Sequence, residues 1–333
     1  MLGAMTLRWG FLGPGRIAAT VAADLALLED ATPLAVAGRD LGRAREFAAA
    51  NGFERAYGSY AELLADPDVD VVYVATPHAQ HHAVTSTVLA AGKPVLVEKA
   101  FTCTLAAATD LVEQARAAGV FVMEAMWTRF VPNVVRLREL IADGAVGEVR
   151  QVHADLGLVG PQDPGNRLWD PAQGGGAMLD LGVYPVSFAQ MVLGAPASVQ
   201  ARGSLAATGV DAESGLLLSY ADGQVALLSC SLLAASPGRA LVVGTGGSIL
   251  VEPRFHHTPR LVLQRDGRED EVVELAPTGR GYAHQLQEVA RCVRAGIAES
   301  PVMPLADTLS VMAVMDEALD QLGGVHRDEG FPA

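Results

Sequence analysis

Residues 8–18 read RWGFLGPGRIA, and this stretch is the strongest indication of the fold. An apolar run enters a G-x-G-x-x-A pattern, which is typical of a first strand, a tight turn and the start of a helix that holds a dinucleotide. Gly13 permits the turn, Gly15 lets backbone N–H groups approach a pyrophosphate, and Ala18 is small enough for close helix packing. An ordinary strand-to-helix turn is the alternative. On the first interpretation, the cofactor contacts Gly13, Gly15, Arg16 and Ile17.

From residue 8 to about residue 123, short apolar runs alternate with amphipathic stretches. PLAVAG precedes DLGRAREFAAANG, VDVVYVAT precedes HHAVTSTVLAAG, and PVLVEKA precedes a predicted helix that ends at Gly119. Continuous apolar strands separated by helical periods are typical of a parallel sheet covered on both faces. We therefore predict an α/β chain that begins with a doubly wound Rossmann domain over residues 1–125.

The pattern changes beyond about residue 148. Alternating segments such as VRQVHADLGLV and GQVALLSCSLLA are separated by Gly, Pro and Asp turns, as in an antiparallel sheet. We predict a second α/β domain over residues 126–333, with an open, mainly antiparallel sheet. Helices are expected through GGGAMLDLGVYPVSFAQMVLG and YAHQLQEVARCVRAG, and the amphipathic stretch at about residues 307–322 is expected to pack back on the first domain.

Composition restricts the partners. A chain of 333 residues, half of them apolar, is long for one hydrophobic core and agrees with two domains. The net charge is −14, from 38 acidic against 24 basic residues, and no extended basic cluster is present. This balance disfavours nucleic acid and anionic membranes as partners. It leaves a small molecule or another subunit.

Cysteine and histidine usage gives no indication of a metal site. The three cysteines are far apart and form no C-x-x-C pair, which disfavours disulfides and thiolate-bound metals. The histidines of the H-x-x-H-H run, His78, His81 and His82, lack the glutamate of H-E-x-x-H.

The sequence shows no pattern of a membrane span or an export signal. No run approaches 18 apolar residues, and the N-terminus lacks a basic segment followed by an apolar one. We expect a cytoplasmic protein with neither metal nor membrane span.

The end of the second strand bears on the choice between NAD and NADP. A carboxylate in this place would bind the ribose hydroxyls of NAD, but the strand ends in Gly38-Arg39-Asp40. The glycine leaves room for a phosphate, and the planar Arg39 guanidinium can pair with it. This favours NADP, with NAD possible. On the alternative interpretation, Arg39 is a solvated surface residue and Asp40 is both helix N-cap and ribose ligand.

Residues 95–103 read VLVEKAFTC, in which a buried strand ends in adjacent opposite charges. Ligands collect at the carboxyl ends of strands in open parallel sheets, where Gly13, Arg39, Thr76 and Lys99 all fall. We therefore expect Lys99 to face the nicotinamide end of the cofactor crevice. A surface salt bridge at Glu98, with Lys99 in solvent, is the alternative.

A second constellation lies in GGGAMLDLGVYP, residues 174–185. A spacing of four places Asp180 and Tyr184 on one helix face, where both could reach one substrate. The alternative is a core tyrosine, with Asp180 in the first helical turn where the helix dipole favours it.

Taken in order, GPGRIA, ATPHAQHH, AGKPVLVEKA, MEAMWTRFVP and GGGAMLDLGVYPVS resemble the Gfo/Idh/MocA family of NAD(P)-dependent oxidoreductases. The MEAMWTRF stretch and the tyrosine in the helix motif resemble most closely the branch that contains the dimeric dihydrodiol dehydrogenases and glucose-fructose oxidoreductase. The likeness covers about residues 8–190 motif by motif. It implies a Rossmann domain and a C-terminal α/β domain whose open sheet often forms a dimer, so we expect a homodimer or a dimer of dimers.

The resemblance also implies roles for individual residues. Lys99 would contact the substrate and the nicotinamide ribose, with Tyr184 as acid/base and Asp180 in support. Further cofactor contacts are expected from Thr76, Pro77, His81, Glu98 and Arg129, and substrate contacts from Trp127 and Trp169. The family's E-K-P motif is E-K-A here, and a cis peptide bond is costly before a residue other than proline. The sequence leaves the peptide geometry at Ala100 open.

The expected reaction is hydride transfer between nicotinamide and a secondary alcohol or carbonyl of a sugar, a cyclitol or a trans-dihydrodiol. A nearby Lys99 ammonium is expected to lower the pKa of Tyr184 and so make it a better base at neutral pH. One alternative is a sensor that binds NAD(P) and a sugar without turnover. Another is a glycosidase or lyase that oxidises its substrate transiently with bound NAD.

Overall fold

The first sheet of the computed structural model, which describes residues 6–161, 163 and 165–331, is parallel throughout. Its strand order is β3-β2-β1-β4-β5-β6, the order of a dinucleotide-binding Rossmann fold. Four-residue β4 is wholly buried and β1 nearly so, as the apolar runs predict. The strands are β1 (Leu7–Leu12), β2 (Ala31–Ala37), β3 (Arg55–Tyr57), β4 (Val71–Val74), β5 (Val95–Val97) and β6 (Val122–Glu124).

Helices follow the strands of this sheet, and local capping explains where several of them begin and end. The Asp40 and Thr104 side chains accept hydrogen bonds from the first turns of the helices after β2 and β5, and Gly52 and Gly119 end those helices with positive φ. The helices are α1 (Arg16–Leu25), α2 (Leu41–Asn51), α3 (Tyr60–Leu64), α4 (His81–Ala90) and α5 (Leu105–Ala118).

The second sheet has the order β14-β13-β12-β11-β7-β10-β9-β8. Its pairings are antiparallel except for the parallel pair β7 and β10, so the prediction of a mainly antiparallel sheet is confirmed. Alternate residues of β7 and β10 are buried, which leaves one sheet face partly open. The strands are β7 (Val149–Gly157), β8 (Ser198–Leu205), β9 (Asp211–Ser219), β10 (Val225–Ser231), β11 (Ala240–Gly244), β12 (Gly247–Val251), β13 (Arg260–Arg265) and β14 (Glu271–Glu274).

Four helices accompany the second sheet: α6 (Pro132–Ala142), α7 (Val183–Leu193), α8 (Ala283–Arg294) and α9 (Leu305–Leu322). Helices α7 and α9 contact its strands, while α9 also contacts α5 of the first half. The Leu105 amide donates to Asp316, and the Thr308 hydroxyl donates to the buried Glu124 at 3.0 Å. The last helix thus packs back on the Rossmann half, as the sequence predicts.

One segment within the described ranges, Pro171–Leu193, is long and apolar enough to cross a membrane by length and composition. Its most apolar window is 78% buried inside the fold, so it lies in the position of a core helix. The π-helical turn before α7 and the first part of α7 both supply buried side chains of this segment, among them Leu179, Val183 and Phe188.

Candidate active site

The glycine loop has the geometry that a dinucleotide needs. Gly13 has a φ of +98°, and a Cβ there would lie 2.8 Å from the Ala75 carbonyl oxygen, so only glycine fits between the ends of β1 and β4. A Cβ on Gly15 would meet nothing within 4 Å, which leaves open space at the N-terminus of α1. Exposed Arg16 and half-buried Ile17 begin the helix. Backbone N–H groups at such a helix end suit a pyrophosphate.

A cleft of about 200 Å³ lies beside this loop, lined by Gly13, Gly15, Arg39, Thr76 and Pro77 among others. The Thr76 hydroxyl is buried and has no hydrogen-bond partner among the described residues. This buried hydroxyl lies in the same cleft as the glycine turn and the exposed Arg39 guanidinium. It can form the hydrogen bond it lacks with a polar group of a bound dinucleotide.

The part of the cleft beside Arg39 has a second basic residue, which the sequence analysis did not single out. Arg43, in the first turn of α2 and four residues after Arg39, also lines the cleft. Asp40 accepts a hydrogen bond from the Arg43 amide at 3.1 Å and caps α2, so the N-cap part of the alternative interpretation is confirmed. Neither guanidinium forms an ion pair within the described ranges.

Lys99 reaches the second half of the molecule. Its Nζ donates to the Asp180 carbonyl oxygen at 2.9 Å and lies 4.7 Å from the centre of the Tyr184 ring. The Lys99–Ala100 peptide bond is cis. The two groups that the sequence places in separate domains therefore meet, with a cation over an aromatic face.

Tyr184 is buried at the start of α7, with 7% of its surface exposed. The Trp127 Nε1–H donates to its oxygen at 3.0 Å. Burial raises the pKa of Tyr184 well above its usual value, and the charges of Glu98 and Asp180 add to this, while the hydrogen bond from Trp127 opposes it. The expectation of a lowered pKa is wrong, because burial of the phenol dominates the shift.

Asp180 lies in a π-helical turn, Met178–Gly182, directly before α7; such turns are frequent at functional sites. Arg167 donates to its carboxylate at 2.9 Å. Burial by itself would raise the pKa of Asp180, but the nearby positive charges of Lys99 and Arg167 outweigh it and hold the pKa at about 2. Asp180 is therefore a carboxylate at neutral pH.

Glu98 is a second buried carboxyl beside Lys99, with 5% of its surface exposed. The Tyr73 hydroxyl donates a short hydrogen bond to it. Burial raises the pKa of Glu98 to about 6, although Tyr73 and Lys99 oppose the shift. The surface salt bridge considered for Glu98 is therefore absent, since the side chain points into the protein.

Two buried histidines hold the surrounding loops. His81 lies between the carbonyl oxygens of Thr76 and Ala100, at 2.9 and 2.8 Å. His78 lies between those of Gly174 and Lys99, at 2.8 and 3.1 Å, and so links the two halves. Burial lowers the pKa of both imidazoles, that of His78 to about 3. Both act here through the backbone, and direct contact of His81 with a cofactor stays a prediction.

An aromatic wall, defined here as Trp127, Tyr184, His256, His257 and Tyr282, borders the site. Tyr282 and His257 stack on Trp127 with ring centres 4.4 and 6.0 Å away, and His256 packs on Tyr184 at 4.7 Å. Sequence reasoning singled out Trp127 but assigned no role to the histidine pair. The sequence gives only a weak indication that this histidine pair contacts Tyr184, because the two histidines lie in a loop more than 70 residues after it.

Comparison with known proteins agrees with this geometry. Residues 7–126 match the oxidoreductase family with an NAD-binding Rossmann fold, and residues 134–250 match the GFO/IDH/MocA C-terminal domain. The chain belongs to the GFO/IDH/MocA family. The family resemblance drawn from its motifs is thus confirmed, and this GFO/IDH/MocA protein is an NAD(P)-dependent dehydrogenase or reductase that acts on CH–OH groups.

Individual relatives cover nearly the whole chain. Proteins named trans-1,2-dihydrobenzene-1,2-diol dehydrogenase, from Xenopus laevis and Mus musculus, are each 38% identical over 96% of this chain and 99% and 98% of their own length. A 3-ketoreductase from Actinomadura kijaniata, solved with NADP and TDP-benzene, is 27% identical with a TM-score of 0.83, covering 98% of this chain and 100% of its own. An aldose-aldose oxidoreductase from Caulobacter crescentus, solved with glycerol, is 25% identical with a TM-score of 0.86, covering 95% and 97%.

Two predicted site residues of this family member have other contacts. Arg129 is 3% exposed and hydrogen-bonds to Asp307 of α9 and Gln190 of α7. Trp169 donates to the Pro161 carbonyl oxygen at 2.8 Å. Arg129 thus ties two helices together, and Arg167, two residues before Trp169, is the member of that turn that reaches Asp180. The cofactor role of Arg129 and the substrate role of Trp169 stay predictions.

A concave surface larger than the cleft at the glycine loop lies elsewhere. It measures about 960 Å³, runs over the open face of the second sheet and is lined by residues such as His153, Leu217, Leu227 and Leu241. Size alone would choose this surface as the active site. The convergence of Lys99 with Tyr184 beside the glycine loop is the stronger criterion, because catalysis requires positioned reactive groups.

Proposed function

We propose that this enzyme interconverts a secondary alcohol and a ketone of a sugar, a cyclitol or a trans-dihydrodiol, with Tyr184 as the acid/base and Lys99 as its partner. The observation that carries the proposal is the contact of the Lys99 ammonium with the Tyr184 ring, where the glycine-loop half meets the second half. The cofactor, when bound, would supply the hydride as NADPH in reduction or accept it as NADP in oxidation. The protein supplies orientation and the proton.

Tyr184 is prepared to donate a proton. Indole N–H groups only donate, so the Tyr184 oxygen accepts the hydrogen bond from Trp127 and keeps its own O–H for another acceptor. The raised pKa of Tyr184 keeps the phenol protonated at neutral pH. This state suits protonation of a carbonyl oxygen during reduction, whereas oxidation first requires loss of the proton. We therefore propose that reduction is the faster direction at neutral pH.

Lys99 and Asp180 support this proton transfer. An ammonium has three N–H donors, and the Asp180 carbonyl oxygen takes one of them, which leaves others for a substrate oxygen or a ribose hydroxyl. The ionised Asp180 carboxylate, held by Arg167, places a negative charge near the ammonium. Asp180 is therefore a supporting residue and not the proton donor.

The cofactor preference follows from the basic end of the cleft. Arg39 and Arg43 provide two exposed guanidinium groups, and Asp40 is occupied as the cap of α2. Two planar cations suit a 2′-phosphate, because arginine binds phosphate through two parallel N–H bonds. The 3-ketoreductase from Actinomadura kijaniata was solved with NADP, which supports the same preference.

A screen of sugars, cyclitols and trans-dihydrodiols, and of the matching ketones, tests the activity. Each compound is offered with NADP or NADPH and with NAD or NADH, and nicotinamide absorbance is followed. We expect turnover with at least one compound, with NADPH preferred over NADH. Product formation without a net absorbance change would indicate the glycosidase or lyase alternative, and binding without any product would indicate a sensor.

The basis of NADP preference is tested by Arg39→Ala and Arg43→Ala. Each substitution is expected to lower kcat/KM for NADPH about 10-fold to 100-fold and to leave kcat/KM for NADH within about twofold, because charge-assisted phosphate contacts contribute about 1.5–3 kcal/mol. Arg45→Ala on α2, outside the cleft lining, is the matched control. Equal losses with both cofactors would contradict the assignment.

We also propose that two copies associate through the open face of the second sheet. Leu227 is 45% exposed at the centre of this face and lies among apolar neighbours. Leu227→Asp is expected to shift the sedimentation coefficient from that of a dimer to that of a monomer. Leu27→Asp, at a leucine that is 55% exposed in the first half, is the control. A monomeric wild-type protein would contradict the proposal.

A further inference from the structure

His256 is held firmly in the loop between β12 and β13. The preceding Phe255 is fully buried, and its amide donates to the Gly238 carbonyl oxygen at 2.8 Å. The His256 carbonyl oxygen accepts from the Thr128 hydroxyl at 3.0 Å, next to Trp127 in sequence. These contacts fix the backbone at and before His256, so its imidazole has a defined place in the aromatic wall.

The imidazole itself packs on the proposed proton donor. Its ring centre lies 4.7 Å from that of Tyr184 and 5.9 Å from that of Trp127, and its plane is perpendicular to the indole. The Lys99 charge is close enough to influence its protonation. His256 is thus a neighbour of both groups that are proposed to handle the reacting oxygen.

The hydrogen-bonding capacity of His256 is unused. Its Nδ1 is buried without a partner, and no hydrogen bond of its other ring nitrogen occurs in the part of the chain that the structure describes. Burial, with smaller contributions in the same direction from the nearby His257, Lys99 and Arg254, lowers the pKa of His256 to about 3, so the ring is neutral at working pH. A neutral imidazole offers one donor and one acceptor, and leaving a buried one unpaired is costly.

We propose that His256 binds the hydroxyl group adjacent to the reacting carbon and thereby selects substrates with vicinal oxygens. The proposal rests on the function proposed above. Tyr184 and Lys99 serve the reacting oxygen, and the only N–H of Trp127 is used on Tyr184. Of the wall residues that contact Tyr184, His256 is therefore the one whose ring nitrogens have no hydrogen-bond partner within the described ranges. A hydroxyl both donates and accepts, so it satisfies either tautomer of the ring.

The test compares trans-cyclohexane-1,2-diol with cyclohexanol, both with NADP, in wild type, His256→Phe and His256→Asn. Wild type is expected to prefer the diol. Phenylalanine keeps the ring packing but removes the nitrogens, so kcat/KM for the diol should fall about 10-fold to 100-fold while that for cyclohexanol changes less than about threefold. Asparagine places an amide near the position of Nδ1 and is expected to restore part of the preference.

His257→Phe is the matched control, because His257 also stacks on Trp127. It is expected to change kcat/KM for both alcohols by the same factor. NADPH binding by each variant, measured by fluorescence, shows whether the fold is retained. Equal losses for the two alcohols in His256→Phe, or no preference for the diol in wild type, would overturn the role of His256. Absence of turnover with every compound of the broader screen would instead overturn the proposed function.

Discussion

Two carboxyl groups beside Lys99 differ in their pKa. Glu98 directly follows β5 of the Rossmann half, and burial raises its pKa to about 6. Asp180 lies in the π-helical turn of the second half, where burial acts in the same direction but Lys99 and Arg167 hold its pKa at about 2. The neighbour of Glu98 is the neutral hydroxyl of Tyr73, whereas the neighbour of Asp180 is a guanidinium.

The difference follows from the hydrogen-bond partner of each group: the Arg167 guanidinium lowers the pKa of Asp180, whereas Glu98 accepts from a neutral phenol. Lys99 influences both groups, so the extra cation at Asp180 separates them. The second half therefore provides the fixed negative charge near the ammonium, and the first half provides a carboxyl that can become neutral.

Lys99→Met removes the cation that both carboxyl groups share. We expect turnover to fall about 10³-fold with NADPH binding retained, because a positioned acid/base system contributes about 10²-fold to 10⁴-fold. Stopped-flow reduction rates and fluorescence titration measure the two quantities. Lys93→Met is the matched control, since Nζ of this half-buried lysine donates to the carbonyl oxygens of Asp66 and Val69. Undiminished turnover in Lys99→Met would remove the lysine from the chemistry.

Glu98→Gln tests the raised pKa on the first side of the comparison. A carboxyl whose folded pKa lies above its unfolded value of about 4.5 stabilises the fold at low pH, and this contribution is lost as pH rises through about 6. Wild-type stability should therefore fall by about 1 kcal/mol from this group between pH 5 and pH 7.5. The glutamine variant should lack that decrease.

Urea unfolding at the two pH values measures the difference between Glu98→Gln and wild type. Glu139→Gln, on the exposed face of α6, is the control and should keep the wild-type pH dependence. The same pH dependence in Glu98→Gln would mean that Glu98 is ionised throughout this range.

Arg167→Gln tests the lowered pKa of Asp180, the second carboxyl of the comparison. Its expected effect on turnover is the smallest of these substitutions. Arg167 is 41% exposed on its side chain, so solvent screening limits the contribution of its ion pair to about 1 kcal/mol or less. We expect the pKa of Asp180 to rise but to stay below neutrality, because Lys99 remains. Turnover at pH 7 should fall less than about fivefold, with the acid limb of the pH profile moved to higher pH. Arg150→Gln, at an exposed pair with Glu148, should leave the profile unchanged.

The parts of the site that are set by local pattern could be predicted from the sequence. Gly13 and Gly15 follow from the turn they must make, and Lys99 follows from its place at a strand end. The meeting of Lys99 with Tyr184 was predicted because both motifs recur together in one family. These signals are short stretches of chain with a fixed spacing.

Contacts between distant segments could not be predicted in this way. The parallel pairing of β7 with β10, the approach of His256 to Tyr184 and the ion pair of Arg167 with Asp180 each depend on how loops return to the site. The pKa of Tyr184 was predicted in the wrong direction for a related reason. The sequence placed the ammonium near the phenol, but the extent of burial, which depends on how distant segments pack, decides the shift.

The central claim, that Tyr184 supplies the proton while Lys99 assists it, is tested most directly by the single-turnover rate of ketone reduction in Tyr184→Phe. Tyr220→Phe is the matched control, because it removes a buried hydroxyl from the second half without contact to the site. With NADPH bound to both variants, we expect a rate about 10²-fold to 10⁴-fold below wild type for Tyr184→Phe and an unchanged rate for Tyr220→Phe. A wild-type rate in Tyr184→Phe would contradict it.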